Sequence, residues 1–174
     1  IMTLMNKPKP FFSIIIPALN EEKYLPKLLD DLSAQTYQDF EVIFVDGGSK
    51  DKTISLANSF TDKLPKLTVL TSHRAHVCTQ RNLGASHAAA EVLIFSDADN
   101  RLPPYFLQGI KYQWEKEHVE LMTTHFDPDK KTSQNVAIAN AVNTFFDLQK
   151  PFKFVRILES LLIVNKIAFK VAGG

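Results

Sequence analysis

One cysteine, Cys78, is present in the whole chain, so no internal disulfide can staple it. No run approaches the roughly 18 consecutive apolar residues that argue for a membrane span. The opening "IMTLMNKPKPFF" lacks the unbroken apolar stretch and small-residue cleavage site of a signal peptide, so the cytoplasmic side is the expected location. Charge is also nearly absent as a signal: 20 Lys and Arg against 19 Asp and Glu leave +1, which gives no reason to expect a nucleic-acid partner. Low-complexity linkers and internal repeats are missing too. What is there is 174 residues with 45% hydrophobic and 22% charged content, enough to bury a core in one domain or a domain with an appendage.

Several chemical signatures are equally missing. There is no Gly-x-Gly-x-x-Gly for a dinucleotide and no Gly-Lys-Ser/Thr ending for a P-loop, which removes support for nicotinamide chemistry and kinase-like NTP hydrolysis. Ser96 is not in a Gly-x-Ser-x-Gly elbow and Cys78 has no activating neighbour, so hydrolase readings rank low. His73, His76, His87, His118 and His125 have no metal-ligand spacing with a cysteine, and His125 is only a weak site candidate.

The pattern that remains is alternation. Phe11 to Pro17 is a short β-branched run that reads as a buried strand, and Asn20 could cap a following helix with Glu21 and Glu22 in its first turn. Leu25, Leu28, Leu29 and Leu32 recur at helical spacing. A second strand covers Phe40 to Asp46, Gly47-Gly48 turns, and Ser49 or Asp51 caps a helix to about Phe60. Leu67 to Thr71 is a third strand, Val77 to Ala90 a helix, Glu91 to Ser96 a fourth strand, and Pro103-Pro104 opens another helix. Further on, Val119 to His125 reads as a strand, and Gln134 to Leu148 as a helix with Ile138, Ala141, Val142 and Phe145 along one side.

Strands alternating with helices of this length predict an α/β fold, a mostly parallel sheet sandwiched by helices, with ligands beyond the carboxyl ends of the strands. Three polar clusters fall at those ends: Asn20 to Glu22, Asp46 to Asp51, and Asp97 to Asp99 in "VLIFSDADN". Each has a plain reading as a turn or cap. Yet Asp97 and Asp99, two residues apart at a strand end, can address one ligand, and hard carboxylate oxygens suit Mg²⁺ or Mn²⁺ shared with phosphate. Arg81, in "TQRNLGA", is either a surface arginine or a planar fork facing a diphosphate.

Taken together, "SIIIPALNEEKYLPKLLDDLSAQTYQDFEVIFVDGGSKDKT" and "RNLGASHAAAEVLIFSDADNRLPPYFL" resemble the family 2 glycosyltransferases, with their Rossmann-like GT-A nucleotide-sugar-binding fold. Four motifs appear in order between about Ser13 and Leu107, and "LLIVNKIAFKVAGG" is similar to a later family segment of strand, short helix and Gly-Gly-Phe-Asp turn. The resemblance implies that Pro17, Leu19, Asn20 and Glu22 line the nucleotide pocket. It puts Asp46 beside the base or ribose, Arg81 near the base or diphosphate, Asp97 near the ribose and the metal, and Asp99 on the divalent metal, Mn²⁺ or Mg²⁺. The implied reaction is inverting transfer of a sugar from a UDP- or GDP-linked donor to a hydroxyl of a glycan or lipid-linked acceptor.

Two departures shape the expectations. Gly47 stands where many relatives carry a second aspartate that in some reads the base, so the sequence leaves uridine and guanosine both open. The chain also stops at Gly173-Gly174, before the segment in which relatives carry the general base that an inverting transfer requires. The expected organisation is an N-terminal extension over 1–10, a nucleotide-sugar-binding domain over 11–125, and the incomplete start of an acceptor-side region over 126–174. A non-catalytic nucleotide-sugar-binding module is the alternative from another class, and a nucleotidyltransferase a third reading that lacks its glycine-rich, arginine-containing signature. Finally, Lys150, Lys153 and Arg156 among Phe145, Phe146, Phe152 and Phe154 could rest on the inner face of an anionic membrane, or pack as core against a further segment.

Overall fold

The computed structural model describes residues 9–117, 119–125, 127–128, 131–149 and 161–174. Among them the chain forms β1 (Phe12–Ala18), α1 (Leu25–Ser33), β2 (Phe40–Asp46), α2 (Thr53–Asn58), β3 (Leu67–Thr71) and α3 (Val77–His87). It continues through β4 (Val92–Ser96), α4 (Phe106–Glu117), β5 (Leu121–Thr123), α5 (Ser133–Gln149), β6 (Leu161–Asn165) and α6 (Lys166–Val171). The six strands make one sheet in the order β3-β2-β1-β4-β6-β5. Pairing is parallel from β3 to β4 and antiparallel on both sides of β6, so the mixed α/β sheet is mostly parallel.

Alternation along β1 divides the core in two. Phe12, Ile14, Ile16 and Ala18 face α1, α2 and α4 through Leu25, Leu28, Leu29, Leu32, Ala57, Leu107 and Ile110. On the other face Ile15, Ile43, Val45, Leu93 and Phe95 meet Ala85 and Leu83 of α3 and Ala168 and Phe169 of α6. Because both faces are covered, β1, β2 and β4 are buried at every position, which is why they read as mostly apolar runs, with Ser13 and Glu41 as the buried polar exceptions within them and Asp46 and Ser96 at strand ends. A Cβ on Gly84 would lie 2.4 Å from Ile15 Cγ2, so glycine there lets α3 lie flush on β1.

Several boundaries differ from the sequence pattern for definable reasons. Asn20 does not cap α1, whose first residue is Leu25 and whose capping residue, Tyr24, makes no side-chain cap. Glu21 and Glu22 accordingly precede the helix, in a loop held by Asp51 and Thr53 ahead of and at the start of α2. Neither Ser49 nor Asp51 is the residue flanking α2, which is Lys52, although Asp51 Oδ1 accepts from the Thr53 N–H 3.0 Å away. The third helix ends at His87, not Ala90, because the next amides are taken by the sheet: Ala89 donates to Glu41 and Ala90 to Ser13 Oγ. Pro103 and Pro104 sit in a turn ahead of α4, with Pro103 O accepting from the Phe106 N–H at 3.0 Å.

Later, β5 is three residues long, shorter than the Val119 to His125 run. On α5 the expected apolar side is not the buried one: Ile138 is 56% and Phe145 54% exposed, while Ala139 is 3% exposed. The inward face runs through Val136, Ala139 and Val142, of which only Val142 belongs to the expected side. "LLIVNKIAF" does give a strand and short helix, with β6 inserted antiparallel between β4 and β5. His118, Lys150, Phe152, Lys153, Phe154 and Arg156 lie outside the described residues. No helix among the described residues is long and apolar enough to cross a membrane.

Candidate nucleotide-sugar site

The strand order places a switch point beside β1, with β2 and β3 on one side and β4 on the other. β1 stays paired with β2 through Ala18 but leaves β4 after Ile15, and Pro17, having no N–H, offers no donor to prolong that ladder. A crevice therefore opens beyond the carboxyl ends of β1, β2 and β4. Leu19 and Asn20 follow β1, Asp46 ends β2, Asp97 and Asp99 follow β4, and Arg81 stands on α3, whose first turns meet the same edge.

Two loops are laced into one wall. Asn20 donates its N–H to Ser49 Oγ and accepts from the Lys50 N–H on Oδ1, both at 2.8 Å. Glu21 N–H donates to Thr53 Oγ1 at 2.8 Å, Glu22 N–H to Asp51 Oδ2 at 3.2 Å, and Lys52 N–H to Glu22 Oε2 at 3.0 Å. This bonding explains the backbone of Asn20, the one described non-glycine residue with positive φ, at 57°. Asparagine tolerates the left-handed region better than most residues, and its short side chain repays the strain locally. The sequence marked Asn20 as polar but not as the hinge between the two loops, because its partners lie about 30 residues away.

Asp46 is fully buried. Its Oδ2 accepts from the Gly48 N–H at 2.7 Å and the Ser49 N–H at 3.0 Å, a side-chain turn that the positive φ of Gly48, 96°, completes. Its Oδ1 is buried with no hydrogen-bond partner among the described residues. Across the crevice Arg81 Nη2 lies 3.0 Å from Asp97 Oδ1. Asp97 O accepts from the Asn100 N–H and Ser96 Oγ from Asn100 Nδ2, so "SDADN" is a compact turn. Arg101 and the Leu102 N–H then anchor it to Asp31 of α1, whose carboxyl those bonds hold below its ordinary range despite burial that pushes it up.

The mouth is acidic. Burial, followed by the charges of Asp99, Asp51 and Asp97, raises the pKa of Glu21. Asp99 is exposed and Asp97 part-buried. Among the described residues no three His, Cys, Asp or Glu side chains converge as a metal cage. Two neighbouring carboxylates fit the smaller donor set of a Mg²⁺- or Mn²⁺-type ion that keeps water and phosphate ligands. His125 belongs elsewhere: its Nε2 is 3.1 Å from Asp147 Oδ1 on the exposed side of α5. A cavity of about 660 Å³ between Phe11, Glu91 and Trp114 lies at the opposite, amino-terminal edge of the strands. The switch point and the convergent polar groups, and not cavity size, locate the candidate site.

A layered α/β sheet with a polar crevice at its switch point defines a nucleotide-binding type of fold. The chain belongs to Glycosyl transferase family 2, which it matches over residues 13–162. A PGL/p-HBAD biosynthesis glycosyltransferase of Mycobacterium bovis is 42% identical over 96 residues, covering 53% of this chain and 37% of that protein. A 4,4'-diaponeurosporenoate glycosyltransferase of Staphylococcus haemolyticus is 40% identical over 95 residues, covering 52% of this chain and 24% of that one. The matched stretch thus spans well under half of these relatives. Among solved structures, the mannosyltransferase PcManGT of Pyrobaculum calidifontis, in complex with GDP-Man and Mn²⁺, superposes with TM-score 0.75 at 20% identity, over 96% of this chain and 48% of that one. S. aureus TarS in complex with UDP-GlcNAc gives TM-score 0.70 at 21% identity, over 93% and 47%. These likenesses establish the GT-A fold, and the family match displaces the nucleotidyltransferase reading.

Proposed function

We propose that this chain carries the donor side of an inverting glycosyltransferase that uses a nucleoside diphosphate sugar and a divalent metal. The observation that carries this reading is the pairing of a buried, half-satisfied Asp46 with an exposed Asp99 on the two flanks of one switch-point crevice. Asp46 Oδ1 would accept a hydrogen bond from the base or ribose, and Pro17, Leu19, Asn20 and Glu22 would form the wall beside it. In the structure Glu22 spends one carboxylate oxygen on the Lys52 N–H, so its part is to shape that wall.

Arg81 would offer its fork to the base or diphosphate while keeping Asp97 oriented toward the ribose. Asp99, with Asp97, would hold Mn²⁺ or Mg²⁺ against the diphosphate oxygens. A metal bound there supplies positive charge that favours departure of the nucleoside diphosphate. Support comes from relatives named as glycosyltransferases and from fold neighbours solved with UDP-GlcNAc or with GDP-Man and Mn²⁺. Transfer to a glycan or lipid-linked hydroxyl, a cytoplasmic location and contact with the inner membrane face belong to the same proposal, and failure to bind anionic liposomes would remove the last.

The test is calorimetric titration of the chain with UDP, GDP and their sugars, with and without Mn²⁺. Metal-dependent binding of at least one nucleotide sugar is expected. A protein that binds none of them at millimolar concentration would refute the donor-pocket reading.

A further inference from the structure

Gln80 is the residue the family resemblance passes over, although it precedes Arg81 directly and is 4% exposed. Its Nε2 donates to Ala18 O and to Val45 O, each at 2.8 Å, so both amide hydrogens are spent on the last carbonyl of β1 and the next-to-last of β2. The Gly47 N–H also donates to Ala18 O, at 2.8 Å. One side chain on α3 thereby ties together the ends of β1 and β2 at the level where the chain enters Leu19, Asn20 and the Asp46 turn.

Gly47 is matched to it. A Cβ at position 47 would stand 3.1 Å from Gln80 Nε2 and 3.3 Å from Ala18 O, tighter than ordinary contact. Any side chain there would press on the amide and on the carbonyl it serves. The absence of a side chain at 47 and the amide at 80 are one packing solution.

We propose that Gln80 is a positioning residue for the nucleoside end of the pocket. Its amide fixes the spacing between the β1 loop and the Asp46 turn and, through the adjacent residue on α3, the placing of Arg81 relative to both. Gly47 lacks a side chain so that this amide can stay. The proposal rests on the donor-pocket reading above. It adds that the pocket wall is set from beneath by a residue that touches no ligand.

Gln80→Met, similar in length but without donors, and Gly47→Ala, which leaves Gln80 in place, test it together. UDP and GDP binding would be measured with Mn²⁺, alongside amide hydrogen exchange at Gly48 and Ser49, the two N–H groups that Asp46 accepts from. Ser13→Ala, at the opposite end of β1, is the control for general loss of stability. We expect Gln80→Met to weaken nucleotide binding tenfold or more and to speed exchange at Gly48 and Ser49. Gly47→Ala should do the same in milder degree, and the double variant should be less than additive because both act through one contact. Ser13→Ala should lower the melting temperature without either change.

Nucleotide affinity within twofold of wild type in Gln80→Met, with unchanged exchange at the two amides, would overturn the proposal. So would an equal loss of affinity in Ser13→Ala at the same melting temperature. If wild type binds neither nucleotide, the donor-pocket reading fails by itself, and faster exchange in Gln80→Met would still show the amide holding the turn.

Discussion

Arg81 and Asp97 face each other across the crevice, Nη2 to Oδ1 at 3.0 Å, and so join the start of α3 to the end of β4. The side chains are 16% and 37% exposed, which limits the pair's worth to stability to about 1 kcal/mol. Its consequence for binding should be larger, because the guanidinium is a cation held beside Asp97 where the proposed donor's diphosphate would sit. Arg81→Leu should weaken nucleoside diphosphate binding tenfold or more while the melting temperature moves by a few degrees. Arg81→Lys should restore only part of that affinity, since a point charge lacks the planar fork. Full recovery in the lysine variant would show that charge alone is needed.

Asp99 is exposed, whereas Asp97 is part-buried and bonded to Arg81. Asp99→Ala should therefore change unfolding free energy by no more than about 0.5 kcal/mol. What it should remove is the gain in nucleotide affinity on adding Mn²⁺. Asp97→Ala should lower affinity with and without metal, because it also releases Arg81. An Asp99→Ala protein that still gains affinity from Mn²⁺ in the same titration would end the assignment of this carboxylate to the metal.

Asn20 combines a left-handed backbone with the Oδ1 acceptor for Lys50. Asn20→Ala loses the acceptor and keeps the unfavourable φ, for a cost of about 1–2 kcal/mol in urea unfolding. Asn20→Gly should cost less, because glycine adopts positive φ freely. If the two substitutions were equal, strain would have no part in this corner.

The central strands were legible because burial on both faces writes itself as mostly apolar sequence, and β2 falls where the pattern puts it; β3, only half-buried, falls there through its β-branched and apolar residues. The clustering of Asn20, Asp46, Asp97 and Asp99 at strand ends followed from the same pattern. What local sequence does not carry is long-range bonding. Asn20 reads as a helix cap until Ser49 and Lys50 are brought beside it, and Gln80 reads as a helix residue until Ala18 and Val45 present their carbonyls. Nor does an apolar run state its direction, so the antiparallel placing of β6 between β4 and β5 was not visible. On α5, spacing identified an apolar stripe, yet the helix turns its Val136 and Ala139 side inward.

Glu41 is the clearest pH sensor in the fold. It is 1% exposed on β2, and its carboxylate accepts from Ser13 Oγ at 2.7 Å, from the Ala89 N–H at 2.6 Å and from Lys66 Nζ. Burial by itself would raise its pKa, but the bonds from Lys66, Ser13 and Ala89 outweigh it and hold the group below its ordinary value of 4.5. A folded pKa below the unfolded one means that the ionised group contributes its full stability above the unfolded value. That contribution is lost as pH falls through the folded value. Wild type should thus lose stability as pH falls below the ordinary carboxylate value of 4.5, in part through this one residue. Glu41→Gln keeps the shape but puts an amide N–H₂ or a weaker acceptor against three donors, and should cost about 1–3 kcal/mol near neutrality. The gap between the two proteins should narrow steadily in acid, because protonation removes from wild type what the substitution has already removed. Urea unfolding of both at about pH 7 and about pH 3 measures it, and a gap that stays constant with pH would mean that the ionised form of Glu41 has no special stability in the fold.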